Sequence, residues 1–220
     1  MPYQRRYRRR RYRRKPPTRG QIYGSAARQL YKDVNKLKNM INVEYKYHDY
    51  QSSNSLTTTP IVNAINLVNE GDTAQTHDGS MFRIKSLQIQ GNCSLNTSVA
   101  NPNKVRIAVV LDTDAAASTV VPTYSEIYDS TGQQINALRN LENRSRFVIL
   151  KQWDFILNPN GNEGKVVKYF RKLDLKVQII GTATEANLKK NGLYLVMLSD
   201  NTTVDTVLFD VTTRIRYIDN

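Results

Sequence analysis

The densest chemistry in the sequence lies at its start. Arg5, Arg6, Arg8, Arg9, Arg10, Arg11, Arg13, Arg14 and Lys15 place nine cations within the first fifteen residues, with Tyr3, Tyr7 and Tyr12 threaded among them and no acid. Clustered guanidinium groups neutralise phosphates and release condensed counterions, which gives strong, salt-sensitive binding that does not depend on base sequence. Arginine outnumbers lysine eight to one in this run, favouring forked contacts to phosphate and stacking on bases. The tyrosines offer faces for unpaired bases; plain compositional bias accounts for them as well. The same run also meets the requirements of a nuclear localisation signal read by an import receptor.

No constellation of this density points to catalysis, and an enzyme is not expected. "GNEGKV" (Gly161 to Val166) places two glycines before a lysine. A phosphate-binding loop needs four residues between the glycines and Ser or Thr after the lysine, so a turn is the better reading. His48-Asp49 and His77-Asp78 are adjacent pairs in turn or strand segments, and no Gly-x-Ser-x-Gly elbow occurs. Cys93 is the single cysteine, which excludes an intrachain disulfide and, with two histidines in all, leaves little for a Cys/His metal site. It reads as a small core or strand residue. Asp112 and Asp114, at the end of a strand pattern, are weak candidates for a structural divalent cation. Two carboxylates alone do not specify a site, and a solvated loop is the simpler reading. No cofactor is expected.

Charge is distributed unevenly along the chain. Residues 1–40 hold fourteen Lys or Arg and one acid, Asp33, whereas residues 41–220 hold eighteen of each and cancel, so the net charge of +13 sits in the first 40 residues. This describes an arm on a neutral body. Pro16, Pro17, Thr18, Arg19 and Gly20 form a semi-rigid joint leading out of the arm. At about 3.3 Å per residue, twenty extended residues reach roughly 65 Å. The basic start lacks the apolar stretch of a signal peptide, and no apolar run approaches the roughly twenty residues of a membrane span. An intracellular protein without a membrane partner is expected, and the Asn-x-Ser/Thr triplets at Asn92, Asn96, Asn143 and Asn201 are then chance matches.

Three parts follow: a disordered basic arm over 1–20, an amphipathic helix and linker over 21–42, and one folded domain over 43–220. In the second part Leu30, Val34, Leu37 and Ile41 recur at helical spacing, with Ser25 as N-cap. A helix this short needs something to dock on, either the domain's own core or a neighbouring subunit.

From residue 43 the pattern has period two. "KYFRKLDLKVQII" sets Tyr169, Leu173, Leu175, Val177 and Ile179 on one face and Lys168, Lys172, Asp174, Lys176 and Gln178 on the other, with Arg171 as the exception. "NKVRIAVVLD" aligns Val105, Ile107, Val109 and Leu111. "RFVILKQWDFIL" aligns Phe147, Ile149, Trp153, Phe155 and Leu157, and "VLFDVTTRIRYI" aligns Val207, Phe209, Val211, Ile215 and Tyr217. "GLYLVMLSD" is apolar on both faces and reads as a central strand. "MFRIKSLQIQG" changes phase, which predicts a bulge near Lys85 and Ser86. "EYKYHDYQ" and "TPIVNAINLV" bring the set to about eight. "NPNGNEGK" and "KKNG" read as hairpin turns, and one long connection, Asp112 to Ser145, holds only a helical turn at "YSEIYD". Its length points to exposed surface or interface contacts. The fold class is all-β: a single eight-stranded antiparallel jelly roll, a two-sheet sandwich with Greek-key crossovers.

The arginine-tyrosine arm, the helix running into "INVEYKYHD", "FRIKSLQIQGN", "ALRNLENRSRFVILKQWDFIL", "KYFRKLDLKVQIIGT" and "NGLYLVMLSD" together resemble the capsid proteins of small circular Rep-encoding single-stranded DNA viruses. The resemblance is to the group whose jelly roll is similar to those of satellite tobacco necrosis virus and the geminiviruses. It covers nearly the whole chain and is strongest from Asn140 to Leu198. It implies a capsid protein that self-assembles into an icosahedral T=1 shell of roughly sixty copies and packages single-stranded DNA on an inward-facing arm. It also implies residence in the virion and in the host nucleus during assembly. Genome contact then falls on the arm arginines and Lys15. "RNLENRSRF" matches the family's string before a long strand, without assigning Arg139, Arg144 or Arg146 to the inner surface or to subunit contacts. The zinc motif of some geminivirus coat proteins is absent from the sequence, as is a long extension after Tyr217, so twinned particles are not implied. The residues themselves do not separate DNA from RNA, because phosphate neutralisation ignores the sugar. They also leave room for a capsid protein of a small single-stranded RNA or satellite virus, and for a non-capsid β-sandwich that binds nucleic acid.

Overall fold

The computed structural model describes residue 24 and residues 26–34, 45–96, 101–117, 121–129, 134–202 and 206–219. The chain divides into two compact units, Met1–Val43 and Glu44–Asn220. In the first, residues 26–34 are helical, and Leu30, Tyr31 and Val34 of the expected helix are exposed. Ser25, Leu37 and Ile41 lie outside the described residues.

Among the described residues of the second unit, nine strands form two antiparallel sheets. β1 (Lys46–Leu56), β3 (Met81–Leu95), β8 (Gly164–Ile179), β9 (Leu188–Lys190) and β11 (Val207–Asp219) make a five-stranded sheet in the order β1-β11-β3-β8-β9. β2 (Ile61–Ala64), β4 (Asn103–Asp112), β7 (Phe147–Leu157) and β10 (Gly192–Ser199) make a four-stranded sheet in the order β2-β10-β4-β7. The eight segments read from the sequence are all strands, and leaving aside short β9, their order is that of a jelly roll. The main core lies between the sheets, where Phe82, Ile84, Leu87, Ile89 and Phe209 meet Val105, Ile107, Leu193, Leu195 and Met197. Lys85 forms the expected bulge: Tyr217 pairs with Ile84 and Arg216 with Ser86, leaving Lys85 between them. β10 is buried along its whole length, as its two apolar faces predict. Cys93 is a core residue whose thiol is pushed up to about 12 by burial.

Three expectations change. "NPNGNEGK" and "KKNG" are turns but not hairpins, since the first leads from β7 in one sheet to β8 in the other and the second from β9 to β10, again across sheets. Turn residues report a reversal of direction and carry no information about which sheet receives the next strand. In the second turn Asn191 takes φ 59°, a left-handed conformation that Asn tolerates better than most residues. Next, β7 does not present one apolar face. Val109 pairs with Lys151 and Val110 with Ile149, so Leu150 is an extra residue and the phase changes there. Leu150, Trp153, Phe155 and Leu157 meet the main core, whereas Phe147 and Ile149 meet a second cluster on the other side of the sheet.

The third change concerns the long connection from Asp112. Far from being surface alone, it contains a four-residue helix, Tyr124–Ile127, and a two-stranded ribbon of β5 (Tyr128–Asp129) and β6 (Leu138–Arg139). Tyr124, Ile127, Tyr128, Ile135 and Ala137 cover Ala108 and Val110 of β4 and Val196 and Leu198 of β10. β4 is therefore buried on both faces. Leu138 and Leu141, on the same connection, remain exposed.

Gly91 lies on the inner face of β3, where a Cβ atom would sit 2.7 Å from the Phe209 ring and 3.0 Å from the Asp210 carbonyl oxygen. The ring occupies the volume that a side chain would need. Gly91→Ala is therefore expected to destabilise the fold by about 1–3 kcal/mol through overpacking, read as a lower urea midpoint with an unchanged m-value. An unchanged midpoint would refute this account of the packing.

Candidate nucleic-acid interface

Tyr3, Tyr7, Tyr12, the eight arm arginines and Lys15 lie outside the described residues. Within the second unit, cationic chemistry is concentrated on the outer face of the five-stranded sheet. Period-two alternation carries side chains from four strands onto that face in cross-strand rows. Tyr47, Arg216, Ser86 and Lys172 form one row, and Asp49, Arg214, Gln88 and Phe170 the next. Gln51, Thr212, Gln90 and Lys168 follow, then Ser53, Asp210, Asn92 and Val166. Beyond the bulge, Arg83 stands opposite Lys176. Seven cations, Arg83, Lys85, Lys168, Lys172, Lys176, Arg214 and Arg216, thus share the face with three acids, Asp49, Asp174 and Asp210.

The acids engage part of this charge. Arg214 grips Asp49 in a fork, Nε to Oδ1 at 2.7 Å and Nη2 to Oδ2 at 2.6 Å, and lies over the Tyr47 ring at 5.1 Å. The hydrogen bond from Arg214 holds the Asp49 carboxyl below the usual carboxylate range. Asp174 accepts from Lys85 at 2.6 Å and from Arg83 at 2.8 Å, and Lys85 chiefly draws its pKa down. Lys168, Lys172, Lys176 and Arg216 form no ion pair among the described residues. Near the bulge a cleft of about 650 Å³ is lined by Tyr45, Tyr47, Lys85, Phe170, Lys172, Arg214 and Arg216. Two further hollows continue along the sheet past Gln88, Gln90 and Thr212 to Gln51 and Asn92.

The zero charge sum over residues 41–220 concealed this face. Its signal was nonetheless present, in Lys168, Lys172 and Lys176 on the polar parity of one strand and in Arg214 and Arg216 on the polar parity of another.

The other candidates are placed elsewhere. Asp112 is fully buried, and both its carboxylate oxygens accept from Arg146, at 2.9 and 2.8 Å, while Oδ1 also accepts from the Asp114 amide at 3.0 Å. Arg146 reaches Glu126 at 3.4 Å as well. The Arg146 guanidinium thus neutralises the Asp112 carboxylate, the group expected to attract a cation. Asp49 and His48 alternate along β1, so Arg214 takes the carboxylate on the outer face while the His48 ring is turned inward, where burial lowers its pKa. They do not form a catalytic pair. His77 is fully buried against Phe82, with ring centroids 5.0 Å apart.

The model of the geminivirus coat protein/nuclear export factor BR1 family matches residues 1–220. The chain belongs to this family. A coat protein is a structural component of the virion and not an enzyme. No curated protein matches this coat protein in sequence. Among solved structures it is similar to that of Desmodium yellow mottle tymovirus, at 14% identity and TM-score 0.39 over 80% of this chain and 87% of that one. It is also similar to the empty head of turnip yellow mosaic virus, at 12% identity and TM-score 0.36 over 80% of both chains. For broad bean stain virus the values are 12% and 0.33, over 78% of this chain and 85% of that one. At these scores the fold assignment rests on strand order.

Removing Arg146 leaves a buried carboxylate without its partner, which typically costs about 3–5 kcal/mol. Arg146→Ala is expected to lower thermal and urea stability by that order, while added calcium leaves the melting temperature of the parent protein unchanged. A rise in melting temperature with calcium would restore Asp112 as a cation ligand.

Proposed function

We propose that this coat protein self-assembles into an icosahedral shell of roughly sixty copies and packages single-stranded DNA through its arginine-rich arm, residues 1–20. Residues 21–42 link the arm to a shell-forming domain spanning 43–220. The observation that carries this reading is charge segregation: the net charge of +13 lies within the first 40 residues, ahead of a body that sums to zero. About sixty such arms supply on the order of 800 positive charges, enough for a genome of one or two thousand nucleotides once counterions neutralise the remainder. One copy of so dense a tail would bind without specificity and in a salt-sensitive way; assembly multiplies it around one polymer. DNA is favoured over RNA by the family resemblance. The same arginine run serves as the signal for an import receptor, which places assembly in the host nucleus.

Expression of the full chain is expected to yield particles by negative-stain microscopy, with nuclease-sensitive single-stranded nucleic acid inside them. Deletion of Met1 to Lys15 is expected to preserve the β-rich circular dichroism spectrum and to remove the nucleic acid that co-purifies at physiological salt. A truncated protein that still carries a full load would show the arm assignment to be wrong. A full chain that stays monomeric at high concentration would show the assembly assignment to be wrong.

A further inference from the structure

At one end of the four-stranded sheet a cleft of about 620 Å³ opens between the turn after β1, the start of β4, the end of β10 and residues 134–136 of the long connection. We propose that this cleft binds a neutral hexopyranose, free or at the end of a glycan chain, with Asp200 and Gln134 accepting from its hydroxyls and Lys104 donating to them. The segments around it are tied to one another through the backbone. The Thr58 amide donates to the Asn201 carbonyl at 2.9 Å, the Ser199 amide to the Thr57 carbonyl at 2.9 Å and the Asp200 amide to the Lys104 carbonyl at 3.1 Å. The connection is fixed as well: the Gln134 carbonyl accepts from the Tyr124 hydroxyl at 2.6 Å and from the Ala137 amide at 3.1 Å, and Ile135 is buried in the second cluster. The cleft is thus framed by segments that cannot easily close on it, as a preformed ligand site requires.

The polar groups that line the cleft identify the ligand. Gln134 Oε1 is buried and accepts no hydrogen bond among the described residues, a costly state that a donor on a ligand relieves. Asp200 Oδ1 accepts from the Lys104 amide at 2.8 Å, which leaves Oδ2 without a partner among the described residues. Lys104 Nζ donates to Asn136 Oδ1 and keeps further N–H groups to give. A hydroxyl donates and accepts at once, so a ring carrying several satisfies a carboxylate, an amide oxygen and an ammonium together. A peptide N–H or carbonyl does only one of these. Lys104 and Asp200 are the charged residues lining the cleft and they cancel, so no excess charge calls for a phosphate or sulfate, and the ammonium disfavours a metal ion. No aromatic ring lines it to stack on a base, whereas Pro60 and Ile135 offer apolar surface to the C–H face of a sugar. Thr58, Thr59, Asn136 and Asp200 are exposed, which leaves the cleft open to the end of a glycan. One cleft holds a monosaccharide weakly; roughly sixty on one shell engage a glycan-bearing surface together, and this attachment role rests on the assembly reading.

The test is saturation-transfer-difference NMR on the full chain with the methyl glycosides of glucose, galactose, mannose and N-acetylglucosamine, and with methyl glucuronide as the charged comparison. Transfer to the ring protons of at least one neutral glycoside is expected, and none to the glucuronide. Gln134→Leu removes an acceptor that has no hydrogen bond to lose, so the melting temperature is expected to hold or rise while affinity for the glycoside falls about tenfold. Asp200→Asn keeps Oδ1 for the Lys104 amide and replaces the second carboxylate oxygen by a donor. It is expected to weaken binding by at least as much with an unaltered melting curve. Both variants are expected to co-purify with the parental load of nucleic acid. Absence of transfer to every neutral glycoside, parental affinity in both variants, or stronger transfer to the glucuronide would overturn the site. For the attachment role, particles are expected to be retained on a surface bearing the glycoside that binds, and Gln134→Leu particles are not. Particles that bind the free glycoside yet pass over that surface would overturn the attachment role alone. A chain that binds the glycoside while remaining monomeric would overturn the assembly reading and leave the cleft standing.

Discussion

Arg106 projects from the outer side of β4, where an uncovered sheet would meet water. Its guanidinium donates to Asp154 at 2.7 Å, to the Ala137 carbonyl at 2.6 Å and to the Tyr124 hydroxyl at 3.3 Å, and it lies 5.1 Å from the Tyr128 ring centroid. Two of its partners and that ring come from the connection between β4 and β7. Arg146 and Asp112 fasten the ends of the same connection. Burying a cation is costly unless its hydrogen bonds are met, so this cover holds one geometry rather than sliding over the sheet. Once it is in place the central strands β4 and β10 are closed on both sides, and the five-stranded sheet supplies the broad wetted face. The arrangement of the basic surface follows from that constraint.

The strands were legible because each carries its own alternation, and the bulge at Lys85 because apolar parity switches within one segment. What stayed hidden depends on partners. The extra residue Leu150 can be found only against β4, since Phe147 and Ile149 keep the parity of Trp153 and Phe155 while facing the other way. The double burial of β4 did leave a trace, in Ala108 and Val110 on the parity opposite Val109, yet Arg106 on that same parity masked it. The basic face failed to register because a charge sum discards parity and strand order alike. Of the candidate site, the arm was read directly from composition. The sheet surface required knowing that β11 lies between β1 and β3.

The position of β8 gives its lysines a use in the fold itself. Along most of its length it pairs with β3 on one side, and among the described residues only Gln178 and Ile179 meet a strand, β9, on the other. A long strand with an open side invites pairing with another copy, and charged side chains are a common deterrent. Lys165, Lys168, Arg171, Lys172 and Lys176 are all exposed along it. These cations discourage edge-to-edge association along this strand.

β11 is synthesised after β1, β3 and β8, yet it sits between the first two of these and carries Arg214 and Arg216. Pairing of Lys46–Leu56 with Val207–Asp219 joins residues separated by most of the chain, and such non-local contacts make folding slow. A nascent chain therefore exposes its basic amino terminus long before its five-stranded sheet can exist. Timing then becomes part of the design: the basic amino terminus is present from the start of synthesis, whereas the five-stranded sheet is a mark of a finished molecule, and an unfinished one cannot display it.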